Sequence, residues 1–375
     1  MVETKHQPER TTRLRKTDWS LRPGVPEDES KLKAFLAGSI WAGCDVDQLY
    51  RWKFKENPFG EVTMLLAVNS LEEIVGLYCY MPWQFCFEGR VFNATQMVDA
   101  FTAVDYRGQG IVDSQIQAGL AHFYSRDYPI SFAFPNENMA PGHRRNNACL
   151  VGLVRRLIRP IHTRRLIRHV IPWPALVTPV ERVAAPVARV ADLALHVVSR
   201  ESRRPKNLGW AVERMDHCGP ESDDFWQAYS ALYARRMMSR KTSDYLNWKY
   251  VHSPNPHRHL FALTRSGRLG GFIVADLPPG PTAGIVDVVA LDRDAFDSLV
   301  RYVMERCIRE KKDAVTFAAL EDHPHFHWFR AFGFFPHPVT SHYFIYLDPN
   351  MPLREPLASS EGWSITLGDI DVTQV

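Results

Sequence analysis

The chain has few cysteines, six in 375 residues, and no two of them make a C-x-x-C pair. Cys44, Cys79, Cys86, Cys149, Cys218 and Cys307 are scattered, which excludes a disulfide framework and a thiolate zinc site and suits a reducing cytoplasm. Long hydrophobic runs are missing too. The most apolar stretch, within 169–199, is cut by Pro172, Pro174, Pro179 and Pro186, so no run reaches the ~20 residues of a membrane span. Residues 1–17 lack the apolar core of a signal peptide and read as a disordered tail, taken here as 1–18. Net charge is also small: 45 Lys+Arg against 42 Asp+Glu, or +3, too little to argue for nucleic acid. With 45% hydrophobic and 23% charged residues, the chain is excluded from the disordered, collagen-like and coiled-coil classes. Its length favours two domains.

One local absence has a direction. Between Asn138 and Val180 no acidic residue occurs, but eight arginines do: Arg144, Arg145, Arg155, Arg156, Arg159, Arg164, Arg165 and Arg168. Without them the balance is 37 basic against 42 acidic, so a mildly acidic protein carries one basic strip. Leu150, Val151, Val154, Leu157, Ile158 and Ile161 read as an apolar stripe opposite Arg155, Arg156 and Arg159. That pattern predicts a helix in a basic, then apolar, inter-domain linker over 151–207. Its basic face is either a solvated surface or a contact for acidic lipid headgroups or an anionic substrate. The lipid form would be peripheral membrane contact through 150–170.

What is present is an internal repeat. Tyr50-Arg51-Trp52-Lys53-Phe54 followed by Asn57-Pro58 returns as Leu246-Asn247-Trp248-Lys249-Tyr250 followed by Asn255-Pro256. In both copies an apolar run, a polar turn and two further strand patterns come next, ending at Met97-Val98-Asp99-Ala100-Phe101 and Ile285-Val286-Asp287-Val288-Val289. The expectation is an α/β fold with a mixed sheet, built from two copies of one module over 19–150 and 208–348, with a C-terminal extension over 349–375. Strands are expected near 62–69, 74–80, 83–92, 94–104 and 129–134, with a helix over 111–126. The second copy should add a helix over 294–311 and a strand over 313–319.

The segment that carries chemistry is Val104-Asp105-Tyr106-Arg107-Gly108-Gln109-Gly110-Ile111-Val112. It follows a strand and opens an amphipathic helix. Gly108 and Gly110 permit a sharp turn that gathers backbone N–H groups, the helix adds the positive end of its dipole, and Arg107 adds a fixed charge. Together these make a cradle for a pyrophosphate.

These residues resemble the phosphate loop of the GNAT superfamily of acyl-coenzyme A N-acyltransferases, Gln/Arg-x-x-Gly-x-Gly/Ala. Arg107 and Gly110 fill the first and fourth positions, and Val112 stands where a small residue is usual. The resemblance implies that Ala103 and Val104 bond the pantetheine arm. It implies that the amides of Arg107, Gly108, Gln109, Gly110, Ile111 and Val112 hold the pyrophosphate of acetyl-coenzyme A or another acyl-coenzyme A. It also implies that Asn136 and Asn138, after the next strand, line the groove. A subgroup found among polysaccharide-biosynthesis proteins is similar over most of the chain, including a closing Trp363…Gly368-Asp369-Ile370-Asp371. The second copy has Asp292-Arg293-Asp294 in place of the glycine loop, although Trp328-Phe329-Arg330-Ala331-Phe332-Gly333-Phe334 resembles the end of a GNAT domain. Copy two is therefore read as a GNAT fold without its cofactor site.

Acyl transfer from a thioester to an amine needs one general base and an oxyanion donor, which a backbone N–H of the fourth strand can supply. Asp99 and Glu137 are the base candidates, with a structural role for Asp99 as the alternative, since Asp287 occurs in the copy without the loop. His143 reads as a surface histidine and Cys149 as a buried thiol. His323-Pro324-His325-Phe326-His327 is a poor ligand set, and no metal is expected. Arg144 and Arg145, just past the groove strand, are expected at the acceptor entrance, which implies an anionic acceptor such as an amino sugar on a nucleotide or lipid carrier. Two other readings compete: a Fem-like aminoacyl transferase using aminoacyl-tRNA, which the basic strip would suit and the phosphate loop argues against, and a non-catalytic tandem-fold binding protein.

Overall fold

A computed structural model describes residues 18–163, 183, 185–188, 190, 192–193 and 209–371. The expected tail before residue 18, most of the 151–207 linker, and Arg164, Arg165 and Arg168 lie outside the described residues. The fold is mixed α/β, and among the described residues one sheet of 14 strands forms, antiparallel except at three pairings.

Two stretches of the chain build the sheet in the same order. In the first, β1 (Trp19–Pro23) precedes the helix Glu29–Ala37; β2 (Thr63–Asn69), β3 (Ile74–Phe87) and β4 (Arg90–Thr102) form an antiparallel meander; and the helix Ile111–Tyr124 leads to β5 (Ile130–Ala133). Sequence periodicity splits 74–92 into two strands, but the structure keeps one long strand to Phe87. The hairpin turns at Glu88 and Gly89, both with positive φ, 49° and 73°. After β6 (Cys149–Pro160), the second stretch runs β7 (Ala211–Arg214), helix Pro220–Leu232, β8 (Met237–Ser239), β9 (Arg258–Arg265), β10 (Arg268–Asp276), β11 (Thr282–Ala290), helix Arg293–Arg309 and β12 (Ala314–Leu320). Each long helix lays an apolar face on the sheet. In Arg293–Arg309 this face is Phe296, Leu299, Val300, Val303, Met304 and Cys307, all buried at helical spacing.

The halves are not separate units. The sheet order is β1-β2-β3-β4-β5-β13-β6-β12-β11-β10-β9-β7, where β13 is Phe335–Leu347. The last strand of the first half thus pairs with β12 of the second, and β13 of the second pairs with β5 of the first. Each half is completed by the other's strand. This corrects the expected helix after residue 150. Residues 149–160 are a strand in the middle of the sheet, with Val151, Val154 and Leu157 buried. The apolar spacing misleads because the register of this strand against β13 shifts twice, so buried Val151, Val154 and Leu157 fall three apart while Leu150 and Arg155 stay exposed. The arginines on it disperse: Arg155 pairs with Glu321 at 2.7 Å, and buried Arg159 donates to the carbonyl of Phe332 at 2.9 Å. The helical face that would have met a membrane is absent from 149–160.

At the centre the two repeat motifs meet. Both are single π-helical turns, Arg51–Lys55 and Asn247–Val251. Trp52 and Trp248 stack with ring centroids 5.3 Å apart, and each indole N–H donates to the other's backbone carbonyl at 2.8 Å. The arrangement is a local two-fold, which explains why Trp and Lys recur together in sequence.

Candidate active site

The glycine loop folds as its residues dictate. β4 ends at Thr102, a short 3-10 turn spans Val104–Tyr106, and Gly108 and Gly110 take φ of 75° and 82°, a region that favours glycine. Gly110 is the N-cap of the helix Ile111–Tyr124, so that helix's first N–H groups face an open cleft of about 850 Å³. Arg107 is pinned at its mouth: Nε donates to the carbonyl of Thr102 at 3.1 Å, and the guanidinium lies 5.6 Å from the centre of the Phe101 ring. Arg145 lines the same cleft and pairs with Asp113 of the helix's first turn at 3.3 Å.

A second cleft of about 220 Å³ adjoins it, and Ile40, Ala100, Asn136 and Met139 line both. It exists because β4 and β5 run parallel for only three residue pairs, Ala94–Gln96 with Ile130–Phe132, and then diverge. Among the described residues, the β4 edge past Gln96 has no strand partner on this side. A bulge deepens the opening: between Leu77↔Phe101 and Cys79↔Val98, Tyr78 faces both Asp99 and Ala100, and Asp99 takes φ 51°.

Asp99 sits at this bulge with its carboxylate 2.6 Å from Lys53 Nζ and 3.2 Å from the indole N–H of Trp41. Asp371 reaches the same lysine, also at 2.6 Å. Burial would lower Lys53, but the two carboxylates outweigh it and hold the ammonium above its usual value. Burial pushes Asp99 up against the pull of Lys53, whereas for Asp371 the lysine prevails and the carboxyl stays below its ordinary range. The inner wall is a buried chain in which His143 bonds the hydroxyls of Tyr78 at 3.0 Å and Tyr346 at 2.9 Å. Burial lowers His143 to about 4, so its ring is neutral at pH 7.

Several expectations change here. His143 is 1% exposed rather than a surface residue, because the helix Ala140–Arg145 turns it inward onto the tyrosines. Ala103 and Val104 lie past the strand end and do not line either cleft; the Ala103 amide already donates to Val75, and Ala100, Phe101 and Thr102 take the position beside the groove. Gly108, Gly110, Ile111 and Val112 line the larger cleft, while Gln109 turns back to donate to the carbonyl of Asp105. Asn136 caps the following turn, its side chain accepting from the amides of Asn138 and Met139, and both asparagines line the larger cleft. Glu137 is exposed and lines neither cleft. Arg144 stacks on Phe344, with 5.5 Å to the ring centre, and Arg145 stands at the glycine-loop cleft rather than at the inner one. Cys149 is half-exposed, with burial still pushing its thiol up. His323 and His325 are buried with burial lowering both, His325 to about 3. Among the described residues, no group of three or more His, Cys, Asp or Glu could hold a metal ion, and no helix is long and apolar enough to cross a membrane.

Lys53, Trp41, Tyr78 and Asp371 are site residues that sequence reasoning assigned no role. Lys53 stood inside the repeat motif, and Asp371 closed the motif of the C-terminal extension. Nothing linear places two residues 318 positions apart on one another.

Residues 28–146 match the family model described as an acetyltransferase (GNAT) domain, which places the match on the half with the glycine loop. No curated protein matches the sequence. Among solved structures, the chain is similar to a conserved protein of Enterococcus faecalis V583 described as a probable N-acyltransferase (TM-score 0.62, 10% identity, 88% of this chain and 73% of that one). It is similar to a GCN5-related N-acetyltransferase of Anabaena variabilis (0.61, 12%, 88% and 72%) and to the N-myristoyltransferase of Saccharomyces cerevisiae, solved with myristoyl-coenzyme A (0.55, 10%, 92% and 81%). At these identities the likeness is one of fold alone, shared over 88–92% of this chain.

Proposed function

We propose that this protein transfers an acyl group, acetyl in the first instance, from acyl-coenzyme A to an amine, with the donor bound by the first half alone. The observation that carries the reading is the left-handed glycine loop at a helix N-terminus, opening directly onto the divergence of β4 and β5. In the half that matches the acetyltransferase domain, one continuous groove thus offers N–H groups for a pyrophosphate at one end and an unpaired strand edge for the pantetheine amides at the other. Arg107 and Arg145 supply positive charge at the phosphate end. The tetrahedral oxyanion would be met by main-chain N–H of β4 near the bulge, and the proton taken up by a carboxylate of the inner cleft. A carrier-linked amine, such as an amino sugar on a nucleotide or lipid carrier, would enter through the inner cleft.

The test is calorimetric titration with acetyl-coenzyme A, paired with thiol release over a panel of amines that includes amino-sugar nucleotides. One binding site per chain is expected, with a thermal stabilisation of about 2.7 kcal/mol at a hundredfold excess over Kd. Absence of binding, or protection of the Asp292–Arg293 turn in hydrogen exchange, would overturn the assignment.

A further inference from the structure

The opening between β4 and β5 has a counterpart between β11 and β12, which pair only over Thr282–Ile285 before they diverge. That second opening is filled by the chain itself. Ile365 accepts from the Leu320 amide at 2.9 Å, the hydroxyl of Thr366 donates to Asp287 at 3.0 Å, and the carbonyl of Gly368 accepts from Tyr245 at 3.1 Å. Gly368 lies so close that a Cβ there would collide with Tyr250 and Asp287.

The same segment then crosses to the first half. The carbonyl of Asp369 accepts from Gln96 of β4 at 3.1 Å, and that of Ile370 accepts from Lys249 at 2.9 Å. The next residue is Asp371, which lines the inner cleft. It is thus carried there on a strap anchored in both halves. Asp99 lines the cleft too, but only 8% of its side chain is exposed and it already meets Lys53 and Trp41. Asp371 is 24% exposed and retains an open side. One lysine against two carboxylates leaves the pair with an excess negative charge. The other nearby ammonium, Lys249, is buried and lowered to about 7, so it is charged only in part at neutral pH.

We propose that Asp371 is the catalytic carboxylate that receives the acceptor amine, with Lys53 and Asp99 as positioning residues. This rests on the reading that acyl-coenzyme A lies in the first half. An acceptor arriving as ammonium is drawn to Asp371 and loses one proton to water. Its nitrogen lone pair then attacks the thioester carbonyl carbon, forming the C–N bond. Once bonded, the nitrogen is strongly acidic, and its proton passes to Asp371. Collapse of the tetrahedral adduct breaks the C–S bond, the electron pair leaves on sulfur, and the thiolate takes the proton from Asp371. The sum is amine plus thioester giving amide plus thiol, with the carboxylate restored.

Two coenzyme A thioethers test this without knowledge of the natural acceptor: S-(2-aminoethyl)-coenzyme A, which carries an ammonium near the sulfur, and the near-isosteric uncharged S-propyl-coenzyme A. On the full-length protein, the charged ligand should bind about tenfold more tightly. D371N should abolish that preference while keeping the affinity for S-propyl-coenzyme A, and D371E should restore part of it. Equal affinity of the two ligands for the wild type overturns the proposal, as does a preference that survives in D371N. Loss of S-propyl-coenzyme A binding in D371N makes Asp371 a strut of the cleft and overturns it too. If neither thioether binds the wild type, it is the donor reading itself that fails, and this proposal falls with it.

Discussion

The two halves meet the same opening in their sheets and treat it differently. Between β4 and β5 the V stays open and joins the glycine-loop cleft; between β11 and β12 it is packed with residues 365–369. The equivalent aspartates diverge accordingly. Asp99 faces the cleft with Lys53, whereas Asp287 is fully buried and bound by Lys241, Tyr250 and Thr366. The helix starts differ as well. In the first half Gly110 leaves the N–H groups facing a cleft. In the second, the Asp292 carboxylate caps its helix, accepting from the Ala295 amide at 2.8 Å. The structural role weighed for Asp99 therefore does not follow from Asp287, because the second half has converted its copy into part of a plug. An empty opening leaves its lining without partner atoms, and filling it with chain stabilises the scaffold.

Separating the halves should have the largest effect. Residues 18–163 expressed alone lack β13 beside β5 and leave both edges of β6 bare, so the fragment should aggregate, and coexpression with 209–375 should recover folded protein in circular dichroism. Next is the two-fold contact: Trp52→Ala removes a stacked, buried ring and strands the carbonyl of Trp248, and should cost about 3–5 kcal/mol in denaturant unfolding.

The paired lysines give a pH signature. Lys53 is held above its usual value, but burial lowers Lys249 among three tryptophan rings to about 7. Between about pH 7 and 10 the unfolded chain therefore holds the extra proton at Lys249, and unfolding free energy should rise with pH, by on the order of a few kcal/mol. Lys249→Met should flatten that rise; an unchanged slope would remove the assignment.

The helix starts sharpen the contrast further. Gly110→Val forces a β-branched residue to φ 82° and should weaken coenzyme A binding by about a hundredfold in calorimetry. Asp292→Ala should leave that affinity untouched and cost only about 1 kcal/mol of stability. The smallest effect is expected at Glu137→Gln, where acetyl transfer should stay within about twofold of wild type.

Much of this was legible along the chain. The repeat, the strand-helix order of both halves and the glycine loop depend on local pattern, since periodicity, turn residues and caps act over a few positions. What was misread had a non-local cause. Residues 149–160 looked helical because a strand whose register shifts against its neighbour shows no clean alternation, and His143 looked exposed because nothing nearby in sequence reveals Tyr78 and Tyr346 closing over it.

The sequence by itself determined that one half has a left-handed glycine turn before its helix Ile111–Tyr124, because φ near 80° at two positions is a property of glycine and of no neighbour. It also determined the two Trp-Lys motifs. The tertiary structure alone decided that those motifs stack on one another, that the halves exchange strands, and that a strap from the end of the second half brings Asp371 to Lys53 in the first. Such choices depend on which sheet edges and openings remain to be satisfied once the local elements have formed, and that balance of pairing and burial is set across the whole chain.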